Sequence, residues 1–361
     1  MFDSIDVCGQ EDFLISWDLG PRCNYDCSYC PSHRHDKVSK HASLEELKKS
    51  ADFVFEYAAL ITQYRISKKV FISFTGGEPT VNPKFVEFSK YVRQRYTELY
   101  STKFDLNLDL TTNGAMNEKT AQAVIDNFDH VTISYHTEAE NKLKRQVLKR
   151  IMQFHGSIGM KVNVMLHAQH FEECKYVMEY LNTSGVKFIP RAIGEDPDGK
   201  RIFAQEYTQE QKEWFNQFWK IPDASIGRPC CGGRTFKVIN DSEVKEVKFI
   251  NYRKFEGWSC SVNWYFLHIE QQSDSVYHHQ TCQARFDNTR GPIGKISEGS
   301  IILEELRTRL ETNTMPIITC PNTFCGCGLC TPKSSSKQNL LELLPNTVLD
   351  TSIFSCPTAS K

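Results

Sequence analysis

FLISWDLGPRCNYDCSYC, residues 13–30, runs from an apolar, strand-like segment directly into three closely spaced cysteines. Similar β-branched and apolar runs recur at 70–77 (VFISFTGG), 104–114 (FDLNLDLTTNG), 130–137 (HVTISYHT), 160–168 (MKVNVMLHA) and 186–193 (VKFIPRAI). Between them apolar residues fall at helical spacing. Leu44, Leu47, Ala51 and Val54 mark the first such stretch, and Phe85, Phe88 and Val92 the second. Ala121, Val124 and Phe128 mark the third, Leu143, Val147, Ile151 and Phe154 the fourth, and Phe171, Val177 and Leu181 the fifth. Ser43 with Glu46 forms a capping-box signal, and Asn82-Pro83 and Asn117-Glu118 are further helix starts. Strands alternating with helices imply βαβ units on a parallel sheet. The expected fold is α/β, a partial (β/α)6 barrel followed by a small α+β cysteine-rich domain.

The chain has 361 residues, of which 40% are hydrophobic and 24% charged, enough for a sizeable core. Its 43 Lys plus Arg nearly balance 44 Asp plus Glu, so net charge gives no footprint for nucleic acid or anionic lipid. The basic run 141–150 (NKLKRQVLKR) keeps helical apolar spacing and is expected to be a solvated outer face, not a nucleic-acid site. No apolar run approaches the ~20 residues of a membrane span. The start, MFDSIDVCGQEDF, lacks the basic-then-apolar pattern of a signal peptide. Fourteen cysteines without an export signal point to metal or redox chemistry in a reducing, cytoplasmic compartment.

Cys23, Cys27 and Cys30 form C-x3-C-x2-C after the first strand, where βα-barrels build their active face. Three thiolates wrapped on a cubane leave one iron open, the feature that separates a catalytic from a closed metal site. The spacing, with Tyr29 before the last cysteine, resembles the signature of the radical S-adenosylmethionine (SAM) superfamily. Half of a zinc knuckle, with His33 and His35 nearby, is the alternative.

The later strand ends support the resemblance. Thr75-Gly76-Gly77-Glu78-Pro79 is similar to the family's GGEP motif, which implies that Gly76, Gly77 and Glu78 hold the SAM amino group. Thr111-Thr112-Asn113-Gly114 and Ser134-Tyr135-His136 close the third and fourth strands with polar residues. The resemblance implies Asn113 and Ser134 as contacts to the SAM ribose and carboxylate. His167 and Arg191 stand at the fifth and sixth strand ends, where Arg191 suits bidentate carboxylate recognition or a structural ion pair.

Beyond residue 200 the pattern changes. Residues 206–220 read as one helix, and Cys260 and Cys282 bracket a predicted hairpin of Trp264–Glu270 and Val276–His279. Cys320, Cys325, Cys327 and Cys330 follow in TCPNTFCGCGLC. Hairpin plus loop offers four thiolates for zinc or an iron–sulfur cluster. Behind the barrel this resembles a twitch/SPASM-like auxiliary-cluster domain, as does Gly291-Pro292-Ile293-Gly294. One auxiliary [4Fe–4S] cluster is expected on Cys260, Cys282, Cys327 and Cys330, with Cys320 and Cys325 as alternatives to the last two. Cys230 and Cys231 are candidate redox thiols, with an unreactive turn as the rival reading. Cys8 and Cys356 are isolated, and Cys174 is expected to be a small buried residue on the fifth helix. The expected organisation is an N-terminal extension (1–12), the barrel (13–200), a connecting helix and linker (201–254), the auxiliary domain (255–332) and a loosely held tail (333–361).

The resemblance implies reductive cleavage of SAM at a [4Fe–4S] cluster, followed by hydrogen abstraction from a substrate by the 5′-deoxyadenosyl radical. It implies an electron donor such as flavodoxin or ferredoxin. A peptide is one substrate class, and a small metabolite, a sugar or tRNA another. A non-catalytic zinc or iron–sulfur protein is the rival from a different class.

Overall fold

After a short β1 (Ser4–Val7), the six apolar runs form β2 (Phe13–Asp18), β3 (Lys69–Thr75), β4 (Asp105–Thr112), β5 (His130–Tyr135), β6 (Gly159–Leu166) and β7 (Phe188–Ala192). They are joined by α1 (Leu44–Gln63), α2 (Phe85–Leu99), α3 (Glu118–Asn127), α4 (Asn141–Phe154) and α5 (Phe171–Thr183). The structure is a computed structural model. It describes residues 3–7, 12–31, 34–65, 67–193, 207–219, 236–240, 243–247, 254–279, 282, 284–323, 325 and 331–344. Neighbouring strands from β2 to β7 are parallel, in a register that sets Phe13 beside Val70, Asp109 beside His130 and Val162 beside Phe188.

Alternation along the strands divides the sheet into two faces. Ile15, Ile72, Phe74, Leu110, Ile133 and Val164 pack beneath the helices against Val54, Phe88, Val124, Ile151 and Val177 in one core. Fully burying each large side chain contributes about 1.5–3 kcal/mol over leaving it exposed. The opposite face carries Asp18, Ser73, Asp109, Thr132, Ser134, Asn163 and Arg191, a polar wall. Ser43 and Glu46 cap α1 reciprocally, and Asn117 caps α3 through the Thr120 N–H at 2.9 Å. α2 opens at Phe85, later than Asn82-Pro83 suggests. A 3₁₀ turn at Pro79–Val81 precedes it, and Asn82 accepts the Lys84 N–H at 2.8 Å.

The rest of the chain adds α6 (Gln209–Trp219), β8 (Phe236–Asn240), β9 (Glu243–Val247), β10 (Ser259–Cys260), α7 (Val262–Tyr265), β11 (Phe266–Glu270), β12 (Ser275–Tyr277) and β13 (Gly294–Lys295). It ends with α8 (Gly299–Glu311), β14 (Ile318–Thr319), β15 (Lys333–Ser334) and α9 (Lys337–Glu342). The hairpin forms, but its first strand begins at Phe266 because Val262–Tyr265 coils into a helical turn. It joins the barrel sheet, since β11 pairs parallel with β2 from Phe266↔Leu14 to Glu270↔Asp18. Among the described residues this nine-stranded sheet runs β13-β12-β11-β2-β3-β4-β5-β6-β7, so the barrel stays open. Gly294 lets α8 approach, because a Cβ there would stand 2.9 Å from Ile302.

A second sheet, β14-β10-β15-β1-β8-β9, unites the two ends of the described chain. Ser4 pairs with Ser334 and donates to its hydroxyl at 2.7 Å. The polar composition after Lys333 suggests a loose terminus, yet residues 333–344 are built in. Lys333, Ser334, Leu340 and Leu344 are buried. The basic face of α4 is also partly structural: Arg150 is buried and binds the Met116 carbonyl and Glu118, and Lys144 pairs with Glu173 at 2.9 Å. Among the described residues no helix is long and apolar enough to cross a membrane.

Candidate active site

The cysteine loop is laid against the turn after β3. Gly77 N–H donates to the Gly20 carbonyl and Glu78 N–H to that of Arg22, both at 2.9 Å. The approach is so close that a Cβ on Gly77 would lie 2.2 Å from the Pro21 carbonyl oxygen, and Gly76 has φ +142°. Both glycines are therefore required by the loop they support. The Glu78 carboxylate is buried and turned inward. It accepts from Thr80 N at 3.0 Å and Oγ1 at 2.6 Å, from Thr112 Oγ1 at 2.8 Å and from Asn113 N at 2.6 Å. Burial pushes its carboxyl above the usual range, against the pull of these bonds. The side chain thus ties the β3 and β4 ends together beneath the cysteines.

Cys23 and Cys30 are half-buried and Cys27 is buried. The loop is closed by Cys30 N to the Cys27 carbonyl at 3.0 Å and by Cys23 N to the Asp36 carbonyl at 2.8 Å. Cys27 lies within electrostatic range of both other thiols, and burial pushes it up to about 12. Asn113 donates to Asn24 Oδ1 at 2.7 Å, with the same Nδ2 3.9 Å from the Cys23 sulfur. Tyr29 donates to His136 Nδ1 at 2.5 Å and stacks on that ring, and the same nitrogen is 3.5 Å from the Cys27 sulfur. Enclosure pushes His136 down to about 4, so it is a neutral imidazole at neutral pH.

Glu138 clamps the other side of the loop. It accepts from Ser28 N at 2.8 Å and Oγ at 2.6 Å, and meets His167 Nε2 at 3.0 Å. Burial raises its carboxyl, but these bonds outweigh it and hold the group below the usual carboxylate range. Further along the polar wall, Arg191 Nε donates to Asn163 Oδ1 at 3.2 Å, and Ser134 sits half-buried in register with Asn163. Among the described residues, Tyr25 Oη and His167 Nδ1 are buried without a hydrogen-bond partner. Tyr25 stands edge-on to His136, and the His167 ring lies beside that of Tyr29. Such orphaned atoms next to a cysteine loop are what a bound ligand or its water would satisfy.

The donors, three cysteine thiols on one loop, are of the chemical kind that holds an iron–sulfur cluster. Among the described residues no three Cys, His, Asp or Glu side chains are placed to hold one metal ion. Thiolates around a four-iron cube stand farther apart than around one ion, and three of them leave a coordination position for an outside ligand.

In the second cysteine group, Cys260, Cys282, Cys320 and Cys325 are all buried. Cys282 is within electrostatic range of Cys260 and Cys325, and burial pushes it up to about 12. Cys320 is hydrogen-bonded to Cys325 and also within range of Cys260; that bond, then burial, pushes its thiol up. The alternative pair is thus the one brought beside the hairpin cysteines. Cys327 and Cys330, the first choice from spacing, lie outside the described residues, as do Cys8, Cys230, Cys231, Cys356 and His33. Cys174 is buried in α5 as expected.

The family model described as Radical SAM superfamily matches residues 17–178, the span from β2 through α5 that carries the three-cysteine loop. Residues 17–178 are a radical SAM domain. A probable GTP 3′,8-cyclase of Methanococcus maripaludis is 22% identical over 241 residues, covering 58% of this chain and 74% of the relative. A GTP 3′,8-cyclase of a Sulfurovum species is 29% identical over 197 residues, covering 51% and 55%. A solved structure of anSMEcpe with bound AdoMet and Cp18Cys peptide superposes with TM-score 0.50 at 14% identity, covering 84% of this chain and 83% of that one. That likeness is one of fold.

Within this domain, nothing in the sequence pattern singles out Glu138 or gives His136 a role. The signal available was position: both fall at or just beyond the end of β5, where polar residues on successive strand ends face the same loop. The family brings a [4Fe–4S] cluster and SAM as cofactors, and makes the protein a radical SAM enzyme.

Proposed function

We propose that Cys23, Cys27 and Cys30 hold the SAM-binding cluster and that the enzyme abstracts hydrogen from a small polar substrate, with a purine nucleotide as its class. When bound, the cluster and SAM supply the reductive cleavage that makes a 5′-deoxyadenosyl radical. This chain's residues do the rest by position. Glu78 and the glycine pair fix the loop, Asn113 braces it beside Cys23, and Glu138 holds its far side through Ser28. Ser134 and Arg191 stand on the polar wall of the sheet, as contacts for the SAM ribose or carboxylate or for substrate phosphate. The single observation that carries the reading is this set of three thiols, two half-buried and one buried, at the mouth of a polar-walled sheet.

The nucleotide class rests on the names of the sequence relatives; nothing observed selects a peptide. A second [4Fe–4S] cluster on Cys260, Cys282, Cys320 and Cys325 is supported by the convergence of four buried thiols, and flavodoxin or ferredoxin would deliver the electron. The test is anaerobic reconstitution followed by assay with SAM, a strong reductant and GTP. The reading expects about eight irons per chain and 5′-deoxyadenosine release that rises with GTP. Release that no nucleotide stimulates but a peptide does would replace the substrate class.

A further inference from the structure

Lys333 is the one lysine among the largest fully buried side chains described, and it lies beside the second cysteine group. Burying an ammonium is costly unless a counter-charge and hydrogen bonds compensate it. Lys333 sits in β15 directly opposite Cys260 of β10. Its Nζ donates to Thr331 Oγ1 at 2.8 Å and to the Thr331 carbonyl at 3.2 Å, and lies over the Phe255 ring at 5.6 Å. Thr331 is also buried, and its Oγ1 is 3.3 Å from the Cys260 sulfur. Lys333 lies within electrostatic range of Cys282 and His279 as well.

The hydrogen positions follow from donor chemistry. An ammonium only donates, so it occupies a lone pair of the Thr331 oxygen. The threonine proton is then free to point at its other neighbour, the Cys260 sulfur. Four thiolates outweigh the charge of a [4Fe–4S] core, so a filled site is anionic, and one-electron reduction of that core from 2+ to 1+ makes it more so. Hydrogen bonds to the sulfurs and nearby charge are among the levers that set such potentials.

We propose that Lys333 and Thr331 form a buried, cation-polarised hydrogen bond to Cys260 that favours the reduced state of the second cluster. The pair are positioning residues: Thr331 touches a ligand sulfur, Lys333 acts through Thr331, and neither itself reacts. The proposal rests on the second-cluster reading above, and its test separates the two. The full-length chain carrying Cys23→Ala, Cys27→Ala and Cys30→Ala isolates the second cluster. If this parent holds zinc or no iron, the cluster reading fails and takes the proposal with it. If it holds about four irons, an EPR-monitored redox titration with dithionite decides the proposal alone. Thr331→Val keeps shape and removes the hydroxyl. It is expected to make reduction about tenfold less favourable, about 59 mV more negative for one electron. Thr331→Ser, which retains the hydroxyl, is expected to titrate with the parent. Lys333→Met is expected to shift the potential in the same direction, and adding Thr331→Val to it is expected to shift it less than Thr331→Val does alone. Should Lys333→Met fail to fold, the two threonine variants suffice. A Thr331→Val chain with the parent's potential overturns the proposal.

Discussion

The two cysteine groups of this chain are built on opposite plans. Cys23 and Cys30 are half-buried in a loop beside orphaned polar atoms of Tyr25 and His167. Cys260, Cys282, Cys320 and Cys325 are all buried, next to a sheet that ties the two ends of the described chain together. An open set of three can accept an exchanging ligand; an enclosed set of four can be closed to everything but electrons. The proposed function accordingly gives chemistry to the first group and a closed, electron-carrying or structural role to the second.

Removing the thiols breaks the comparison most severely. Cys23→Ala, Cys27→Ala and Cys30→Ala together are expected to abolish 5′-deoxyadenosine release while leaving about four irons per chain. Cys260→Ala with Cys282→Ala is expected to lose about four irons as well, and also to lower the thermal midpoint, because those side chains are part of the core. Iron analysis and thermal unfolding of both variants give the answer. A pair variant with unchanged melting would erase the contrast.

Next in size is Glu78. Replacing it by Ala strands four donors, from Thr80, Thr112 and Asn113, in a buried setting. The expected loss is roughly 3 kcal/mol or more, read by denaturant unfolding, with Glu78→Gln losing less because an acceptor remains. Glu138→Gln should leave the fold in place yet loosen the loop at Ser28. It weakens two charge-assisted bonds of about 1.5–3 kcal/mol each, so chelators are expected to strip iron from the first cluster several-fold faster than from the parent.

The smallest effect is a pH slope. Burial pushes His278 down to about 3, with both ring nitrogens lacking partners among the described residues. A histidine depressed in the folded state binds its proton more readily when unfolded. Stability is therefore full above about pH 6.5 and falls as pH drops toward the folded value. His278→Leu is expected to remove up to about 1.4 kcal/mol per pH unit from that slope between pH 6 and 4, measured by urea titration. An unchanged slope would mean that His278 is not held neutral by its burial.

Much of this architecture is legible in the chain because it is written in period. The alternation of Phe13, Ile15 and Trp17 marks a strand, and the spacing of Val147, Ile151 and Phe154 marks a helix. Ser43 and Glu46 announce the start of α1. What period cannot convey is which distant segments share a sheet. Nothing in FLHIE (266–270) says that it will lie parallel to β2, and Ser334 looks solvated until β1 and β10 cover it. The site shows the same division. Cys23, Cys27 and Cys30 declare themselves by spacing within one loop. Glu138 and Lys333 reach their partners across more than 70 residues, to Ser28 in one case and toward Cys260 in the other, so only the fold reveals them. Spacing also favours Cys327 with Cys330, which lie outside the described residues, and only the fold brings Cys320 and Cys325 beside the hairpin cysteines.

The central claim is that the loop of three thiols is where SAM is cleaved. Its most direct test is 5′-deoxyadenosine release by the anaerobically reconstituted chain under strong reduction, beside the Cys23→Ala, Cys27→Ala, Cys30→Ala chain under the same conditions. Release from the parent and none from the variant is the predicted result. Release that persists without those three thiols, or a reconstituted parent that leaves SAM intact, would contradict it.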